Sequence, residues 1–154
     1  MSSKNNCFEV TGQLEYFTKS LLDALIAWCE KNHYQYATIV HDKDVKYNEE
    51  TNEDEAVKEH RHFLVNTRSS KWNFKILLDK FEQVGLTNTM LQKVRKGWHN
   101  ALSYLVHRTE RAVLEKKHLY ELKEVESNFD YIKTIDIIEE QVEEKKTRID
   151  EVIE

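Results

Sequence analysis

The spacing of the apolar residues alternates along this chain between the period of a strand and the period of a helix, and this alternation constrains the fold more than any other feature. Short segments with the β-branched and aromatic residues typical of strands occupy 7–14, 34–40, 60–66, 89–95 and, more weakly, 118–122. The second of them runs into His41, so we expect His41 to end a strand.

Other segments have apolar residues three and four apart, the spacing of an amphipathic helix. For the second of these helices we expect Ser69 or Ser70 as the N-cap and Gly85 as the end. The order β, α, β, β, α, β, α predicts an α+β fold, in which helices pack on one antiparallel β-sheet. The expected helices cover 17–32, 71–84, 98–113 and the chain from about 130 onward.

The composition excludes several classes of protein. With 40% hydrophobic and 10% aromatic residues, the chain can build a core and is not disordered throughout. It contains no apolar run of the roughly 20 residues that a membrane-spanning helix needs, and its N-terminus does not look like a signal peptide. We therefore expect a soluble cytoplasmic protein with no membrane partner, in which Cys7 and Cys29 are reduced and structural.

The charge is strongly segregated, which the net value of -5 hides. Residues 127–154 hold 9 acids and 4 bases, and residues 42–59 hold 8 acids and 3 bases. Residues 71–118 are instead basic, with 10 bases and 4 acids. We predict a main domain over 1–126 and an acidic helical segment over 127–154, which either packs as a terminal helix or begins an oligomerisation or helicase-recruiting region.

Three histidines and one aspartate are spaced to converge on one ion. His60 and His62 are two apart on an expected strand, so their side chains leave the same face, opposite to Arg61. Antiparallel pairing of 34–40 with 60–66 would bring His41 and Asp44 beside them. Three imidazoles and a carboxylate suit a catalytic divalent ion. The alternative is that the histidines serve packing and that His41 and Asp44 are ordinary turn residues.

A second candidate group lies in the basic segment. Tyr104, His107, Arg108 and Arg111 fall at i, i+3, i+4 and i+7, which would place them on one face of the helix expected at 98–113. Either Tyr104 is a surface tyrosine beside solvated arginines, or it is a phenolic nucleophile beside groups that bind phosphates. Further cations extend the region, and Trp98 is available for packing or base stacking: Lys93, Arg95, Lys96, Lys116 and Lys117.

Taken in order, these residues resemble a known family. HDKD at 41–44, HRH at 60–62, SYLVHRT around Tyr104 and KKHLY at 116–120 resemble the HUH-type rolling-circle replication initiators of small Gram-positive plasmids, with the closest likeness to the origin-binding nuclease domain of the pMV158-like Rep proteins. The resemblance covers roughly residues 7–122. It departs from the family at Arg61, where a bulky hydrophobic residue is usual.

The resemblance implies the HUH endonuclease architecture, which is RRM-like or ferredoxin-like. It implies that His41, Asp44, His60 and His62 bind Mn or Mg and that Tyr104 attacks DNA. The expected activity is nicking of single-stranded or hairpin origin DNA through a 5′-phosphotyrosine, with the released 3′-OH serving a host polymerase. The residues expected to contact phosphates are Lys93, Arg95, Lys96, Arg108, Arg111, Lys116 and Lys117.

Two alternatives to a replication initiator stay open at this point. One is a relaxase or single-tyrosine transposase of the same chemistry, although the KKHLY segment favours the initiator. The other is a non-catalytic DNA-binding or metal-binding module with structural histidines. The acidic residues 45–59 are expected to form a long loop or hairpin that points away from bound DNA, because their charge repels phosphates.

Overall fold

The computed structural model describes residues 6–69 and 71–153 of the chain. Its strands are β1 Cys7–Gln13, β2 Gln35–His41, β3 Val45–Asn48, β4 Glu53–Ala56, β5 His60–Asn66, β6 Leu91–Lys93 and β7 Glu126–Ser127. Its helices are α1 Lys19–Asn32, α2 Phe74–Phe81, α3 Trp98–Tyr104, α4 Glu110–Leu114 and α5 Tyr131–Ile153.

Five strands form one antiparallel sheet in the order β6-β1-β5-β2-β7. The pairing of β2 with β5 places His41 opposite His60, as the sequence predicted. On the other side of β5, Thr11 of β1 lies opposite His62. The α+β fold with one antiparallel sheet is therefore confirmed.

Both faces of this sheet are covered, because alternate residues of each strand point to opposite faces. Phe8 and Phe63 pack with residues of α1 and α2 on one face, while Ile39 and Leu64 pack with residues of α3 and α5 on the other. His41, His60 and His62 lie an even number of positions from Ile39 or Leu64 along their strands, so they point to the same face of the sheet as these two residues. The histidines thus stand at one end of the second core, where its apolar residues stop.

The start of α2 differs from the prediction. Asn73 is the N-cap, and its side chain accepts a hydrogen bond from the backbone N–H of Ile76 at 2.9 Å. The prediction that Ser69 caps this helix was wrong, because its hydroxyl instead accepts a hydrogen bond from the N–H of Lys71 at 3.3 Å. Ser70 lies outside the described residues. The helix tightens into a 3₁₀ turn and stops at Gly85, whose φ of 108° favours glycine.

The single helix expected over 98–113 was wrong, since the chain forms α3 and α4 instead. His107 has a φ of 60°, and its N–H donates to the carbonyl of Tyr104 at 3.0 Å, while the Arg108 N–H donates to Ser103 at 2.9 Å. This is the Schellman pattern that ends a helix. Thr109 then caps α4 by accepting the N–H of Ala112 at 3.2 Å. The break separates Tyr104, His107, Arg108 and Arg111, which do not share one helix face.

Two strand predictions also change. The strand expected over 89–95 is shorter, because a 3₁₀ turn at Asn88–Met90 precedes β6. The strand expected near 118–122 was wrong: the chain is irregular there, and a 3₁₀ turn follows at Leu122–Glu124. The edge position beside β2 is taken by β7. Tyr120 belongs to none of the described strands, and its ring stacks on that of His41.

The acidic segment forms a hairpin of β3 and β4, separate from the main sheet. Its base is closed where the N–H of Val57 donates to the carbonyl of Asp44 at 2.9 Å. The hairpin extension that the sequence allowed is therefore present, and it starts next to one of the expected metal ligands.

The C-terminal helix α5 joins the core through its first turns. Tyr131, Ile135 and Ile138 are buried in the second core, and the Tyr131 hydroxyl donates to the carbonyl of Leu102 at 2.5 Å. Beyond them Val142 is exposed. In the described part of the chain, no helix has both the length and the apolar character needed to cross a membrane.

Candidate functional site

The end of β2 and the start of β5 bring three histidine rings together. The ring centroid of His41 lies 4.4 Å from that of His62 and 5.4 Å from that of His60, and the His60 and His62 rings are 4.9 Å apart. One nitrogen of each lies within 4.8 Å of the others, so the three could hold a metal ion. Their convergence follows from the register that sets His41 opposite His60.

Asp44 and His107 complete the cluster around His41. The Oδ2 atom of Asp44 is 3.3 Å from Nδ1 of His41 and 3.5 Å from Nε2 of His60. One ligand atom from each of His41, Asp44 and His107 also lies within 4.8 Å of the other two. The expected ligands thus fall into two groups that share His41: His60 and His62 belong to one and Asp44 to the other, where His107 is a further donor that the sequence had not assigned to the metal.

His41 is the centre of this cluster and is only 1% exposed. Its Nε2 atom lies 2.6 Å from the carbonyl of Leu105, and since a carbonyl can only accept, Nε2 carries the proton. The Nδ1 lone pair of the neutral ring is then free, and Nδ1 is buried with no hydrogen-bond partner among the described residues. Burial is the main cause that lowers the pKa of His41 to about 4, and the electrostatic effect of His62 adds to it. A neutral imidazole with an unpaired buried nitrogen is the form that binds a metal.

Backbone carbonyls fix two further rings in the same way. Nδ1 of His60 donates to the carbonyl of Lys58 at 2.9 Å, and Nδ1 of His107 donates to that of His118 at 2.7 Å. Each ring therefore keeps its lone pair on Nε2. Burial is the largest cause that lowers the pKa of His107, which favours its neutral form.

A carboxylate orients the remaining histidine. Nδ1 of His62 lies 3.2 Å from Oε2 of Glu9 on the neighbouring strand β1, and 3.5 Å from the hydroxyl of Thr11. Donation to the Glu9 carboxylate leaves Nε2 of His62 with the lone pair. A carboxylate behind a histidine is the usual arrangement around protein-bound metals, where it orients the ring and raises its basicity.

Tyr120 holds Asp44 from the other side. Its hydroxyl donates to Oδ1 of Asp44 at 2.6 Å and accepts the N–H of Lys43 at 2.9 Å, while its ring stacks on His41 at 4.4 Å. Burial opposes the charge of Asp44, but the bond from Tyr120 and the neighbouring histidines outweigh it and lower the pKa of Asp44. Burial and the Asp44 contact raise the pKa of Tyr120, so Tyr120 stays protonated.

Tyr104, the expected nucleophile, is the last residue of α3 and is 38% exposed. Its ring centroid lies 5.3 Å from that of His107, edge to face, and His107 lies 4.7 Å from His41. The Lys117 ammonium is 6.0 Å from the Tyr104 ring centroid. An accessible phenol thus adjoins the histidine cluster and a cation.

The expected phosphate-binding residues fall into two groups. Lys93, Arg95 and Lys96 line one cleft that Tyr104 also lines, and Arg111 lines a second cleft that shares Lys96 and Tyr104 with the first. Lys116 and Lys117 are exposed after α4.

Arg108 is engaged elsewhere. Its guanidinium donates to both oxygens of Glu139 on α5, at 2.9 and 2.6 Å. Arg111 likewise contacts Glu115, at 3.4 Å. These two carboxylates therefore already pair with arginines that the sequence predicted to contact DNA phosphates.

The sequence did not single out Glu9, and it did not assign His107 or Tyr120 to the metal cluster. A Thr-Glu pair at 109–110 is a helix-start signal and could have indicated the break that buries His107. The position of Glu9 beside the cluster depends on the pairing register between β1 and β5, and no local sequence pattern determines that register. Tyr120 belongs to the KKHLY segment, but its contact with Asp44 joins residues 76 positions apart.

The model of a protein family, the plasmid replication protein origin-binding domain, matches residues 16–132, which is most of the 154-residue chain. The matched segment contains every residue of the histidine cluster and Tyr104. No curated protein matches the chain significantly.

Proposed function

The chain belongs to the family of plasmid replication protein origin-binding domains, and we propose that it initiates replication by nicking one strand of its origin with Tyr104. The family membership gives it a role in plasmid replication and origin DNA as its partner. We propose three things beyond this membership: that the chain nicks DNA, that nicking depends on a metal ion, and that the chain is an HUH rolling-circle initiator.

One structural observation supports the proposed nicking activity most strongly. Four histidine rings, each with one nitrogen held by a carbonyl or a carboxylate, cluster around His41; Asp44 contacts two of them, and the accessible Tyr104 adjoins His107. A histidine retained for packing alone would not be left with an unpaired buried nitrogen, since such an atom is costly. Nδ1 of His41 is such an atom.

The donor set fits a divalent cation. Imidazoles with one carboxylate and no thiolate suit a divalent cation in an open catalytic site. We assign His41, Asp44, His60 and His62 as its ligands, from the two groups of close donors that share His41, and the family resemblance favours Mn or Mg. When bound, the cation would polarise the scissile phosphate and offset the charge that develops on its oxygens.

The chain's own residues then account for the transfer. The hydroxyl oxygen of Tyr104 attacks phosphorus in line, a Tyr–phosphate bond forms, and the bond from phosphorus to the 3′ oxygen breaks. His107 accepts the phenol proton, because it is neutral, keeps its Nε2 lone pair and contacts the Tyr104 ring. The leaving 3′ oxygen takes up a proton and becomes the 3′-OH, which a host polymerase can extend.

The same geometry allows the reverse reaction. The 5′-phosphotyrosine is a diester, so a later 3′-OH can attack it, release Tyr104 and rejoin a strand. The Lys117 ammonium, 6.0 Å from the centroid of the Tyr104 ring, is a positive charge that would favour the departing phenolate. The proposed activity is therefore nicking and joining rather than hydrolysis.

A nicking assay tests the proposal. Tyr104→Phe should lose cleavage and covalent attachment on a hairpin oligonucleotide carrying the origin of the encoding plasmid, while DNA binding persists. Tyr16→Phe is the matched control, because Tyr16 is also an exposed tyrosine, at 63%. If Tyr104→Phe still forms the adduct, or if wild-type cleavage is undiminished in EDTA, the proposal is wrong.

A further inference from the structure

A cleft of about 610 Å³ opens beside Tyr104. Its walls come from β6, the following loop, the start of α2 and α3. Glu9 lines the same cleft while its carboxylate contacts His62, so the cleft adjoins the proposed metal ligands. A volume of this size is in the range that holds a small organic ligand such as one nucleotide.

The cations of this cleft have no carboxylate partner in the described part of the chain. Among the described residues, Lys93, Arg95 and Lys96 form no ion pair with a carboxylate. Other cations of the surface do, as Lys58 does with Glu15 and Arg108 does with Glu139. Three adjacent unpaired cations attract an anion, and a phosphodiester backbone is the anion that the origin-binding family brings to this chain.

The cleft also has an apolar and aromatic part. Phe74 is half-buried at the start of α2 and faces the cleft, with the Lys93 ammonium 5.9 Å from its ring centroid. Leu64, Leu91 and Val94 line the cleft as well. An aromatic ring beside lysines is the combination that single-strand binding proteins use to stack bases and hold phosphates. The exposed amides of Gln92 and Asn100 add donors and acceptors for a base edge.

We propose that this cleft holds one unpaired nucleotide of the substrate strand, next to the phosphate that Tyr104 attacks. The base stacks on Phe74, and the flanking phosphates contact Lys93, Arg95 and Lys96. The inference rests on the proposed function for the position of the scissile phosphate, but the binding of a single strand in this cleft can be measured without cleavage.

Photocrosslinking tests the position of the base. The probe is a 15-nucleotide dT oligomer with one central 5-iododeoxyuridine, a base that crosslinks to aromatic side chains that it stacks on. The full chain carrying Tyr104→Phe and kept in EDTA removes the proposed chemistry from this assay. Crosslinks that map to Phe74 are expected, and crosslinks found only outside the cleft would overturn the proposal.

Affinity for the unlabelled dT oligomer gives a second test. Phe74→Leu should weaken binding about 5- to 150-fold, the range for loss of one stacking platform, whereas Tyr16→Leu should not. Each of Lys93→Ala, Arg95→Ala and Lys96→Ala should reduce the slope of log affinity against log salt by about 0.7. Lys133→Ala, an exposed lysine of α5, is the control and should leave the slope unchanged. Equal slopes for all four variants would contradict the assignment, even if Phe74→Leu fails to fold.

Thymidine monophosphate distinguishes a strand from a free nucleotide. The dT oligomer should bind at least tenfold more tightly than the mononucleotide, since several phosphates contact the cleft; equal affinity would make it a free-nucleotide site and overturn the proposal. Because none of these measurements needs cleavage, a chain that binds dT in the cleft but never nicks would disprove the proposed function alone.

Discussion

At the scale of single residues, His41 links the fold to the proposed chemistry. It ends β2, stacks on Tyr120 and donates to the backbone of Leu105, next to Tyr104. Burial keeps the ring neutral, and its contacts with Leu105 and Tyr120 set the direction of its free nitrogen. The placement of His41, Asp44, His60 and His62 could be predicted from alternation and strand pairing, because two short antiparallel strands leave little choice of which ends meet.

The burial of His41 predicts a pH dependence of stability for the metal-free chain. Its pKa of about 4 lies below its ordinary value of 6.5, so in this window the unfolded chain binds more protons than the folded chain. The free energy of unfolding should therefore fall as the pH is lowered from about 6.5 to about 4, by up to about 3 kcal/mol from this ring. Urea unfolding in EDTA measures it.

His41→Gln should flatten that pH dependence, leaving the part that His107 contributes in the same direction. His99→Gln, at an exposed position of α3, should leave it as in the wild type. If the slope survives in His41→Gln without change, His41 is not neutral in the folded chain.

Tyr120 predicts an effect on metal affinity without any role as a ligand. Tyr120→Phe removes the hydroxyl that bonds Asp44, so the carboxylate loses its fixed direction, and Mn²⁺ affinity measured by calorimetry should fall about 10- to 100-fold. Tyr131→Phe removes a hydroxyl that bonds Leu102 elsewhere in the core, and it should lower thermal stability but not Mn²⁺ affinity. Equal losses of affinity in both variants would point to general destabilisation.

At the scale of elements, the break between α3 and α4 decides which side chains surround Tyr104. The sequence did not indicate it clearly, because Leu105 and Val106 stay buried through the turn and keep the apolar spacing of a continuous helix. His107 is therefore turned into the cluster rather than along a helix face. Long-range contacts of this kind, like that of Glu9 with His62, depend on packing that local periodicity does not encode.

The ion pair that Arg108 forms with α5 predicts which cations contribute more to the affinity for DNA. Arg108 is bound by both oxygens of Glu139, whereas Lys96 has no ion pair among the described residues. Arg108→Ala should thus lower single-strand affinity less than Lys96→Ala does, in a fluorescence anisotropy titration at one salt concentration. The opposite order would mean that Arg108 leaves Glu139 when DNA binds.

At the scale of the whole molecule, the charge segregation seen in the sequence places the two kinds of charge on different elements. Lys93, Arg95 and Lys96 line the cleft beside Tyr104, while the acidic hairpin of β3 and β4 forms a sheet of its own and α5 packs on α3. The net charge of -5 is thus compatible with a DNA-binding surface.

Binding of a cation should stabilise the whole fold, because its proposed ligands come from β2, β5 and the start of the hairpin. At a Mn²⁺ concentration about 100 times the dissociation constant, the gain is about 2.7 kcal/mol, which corresponds to a rise in melting temperature of roughly 5 to 10 °C. Asp44→Asn should lose most of this rise, while Asp54→Asn in the hairpin should keep it. No shift in the wild-type chain would argue against the metal centre.

The most direct measurement is the mass of the covalent product. The chain is incubated with the origin hairpin and Mn²⁺, digested, and its peptides are searched for attached nucleotide. We expect a nucleotide adduct on Tyr104, formed with Mn²⁺ and absent in EDTA. An adduct on another residue such as Tyr120, or cleavage that leaves a free 5′-phosphate and no adduct, would contradict it.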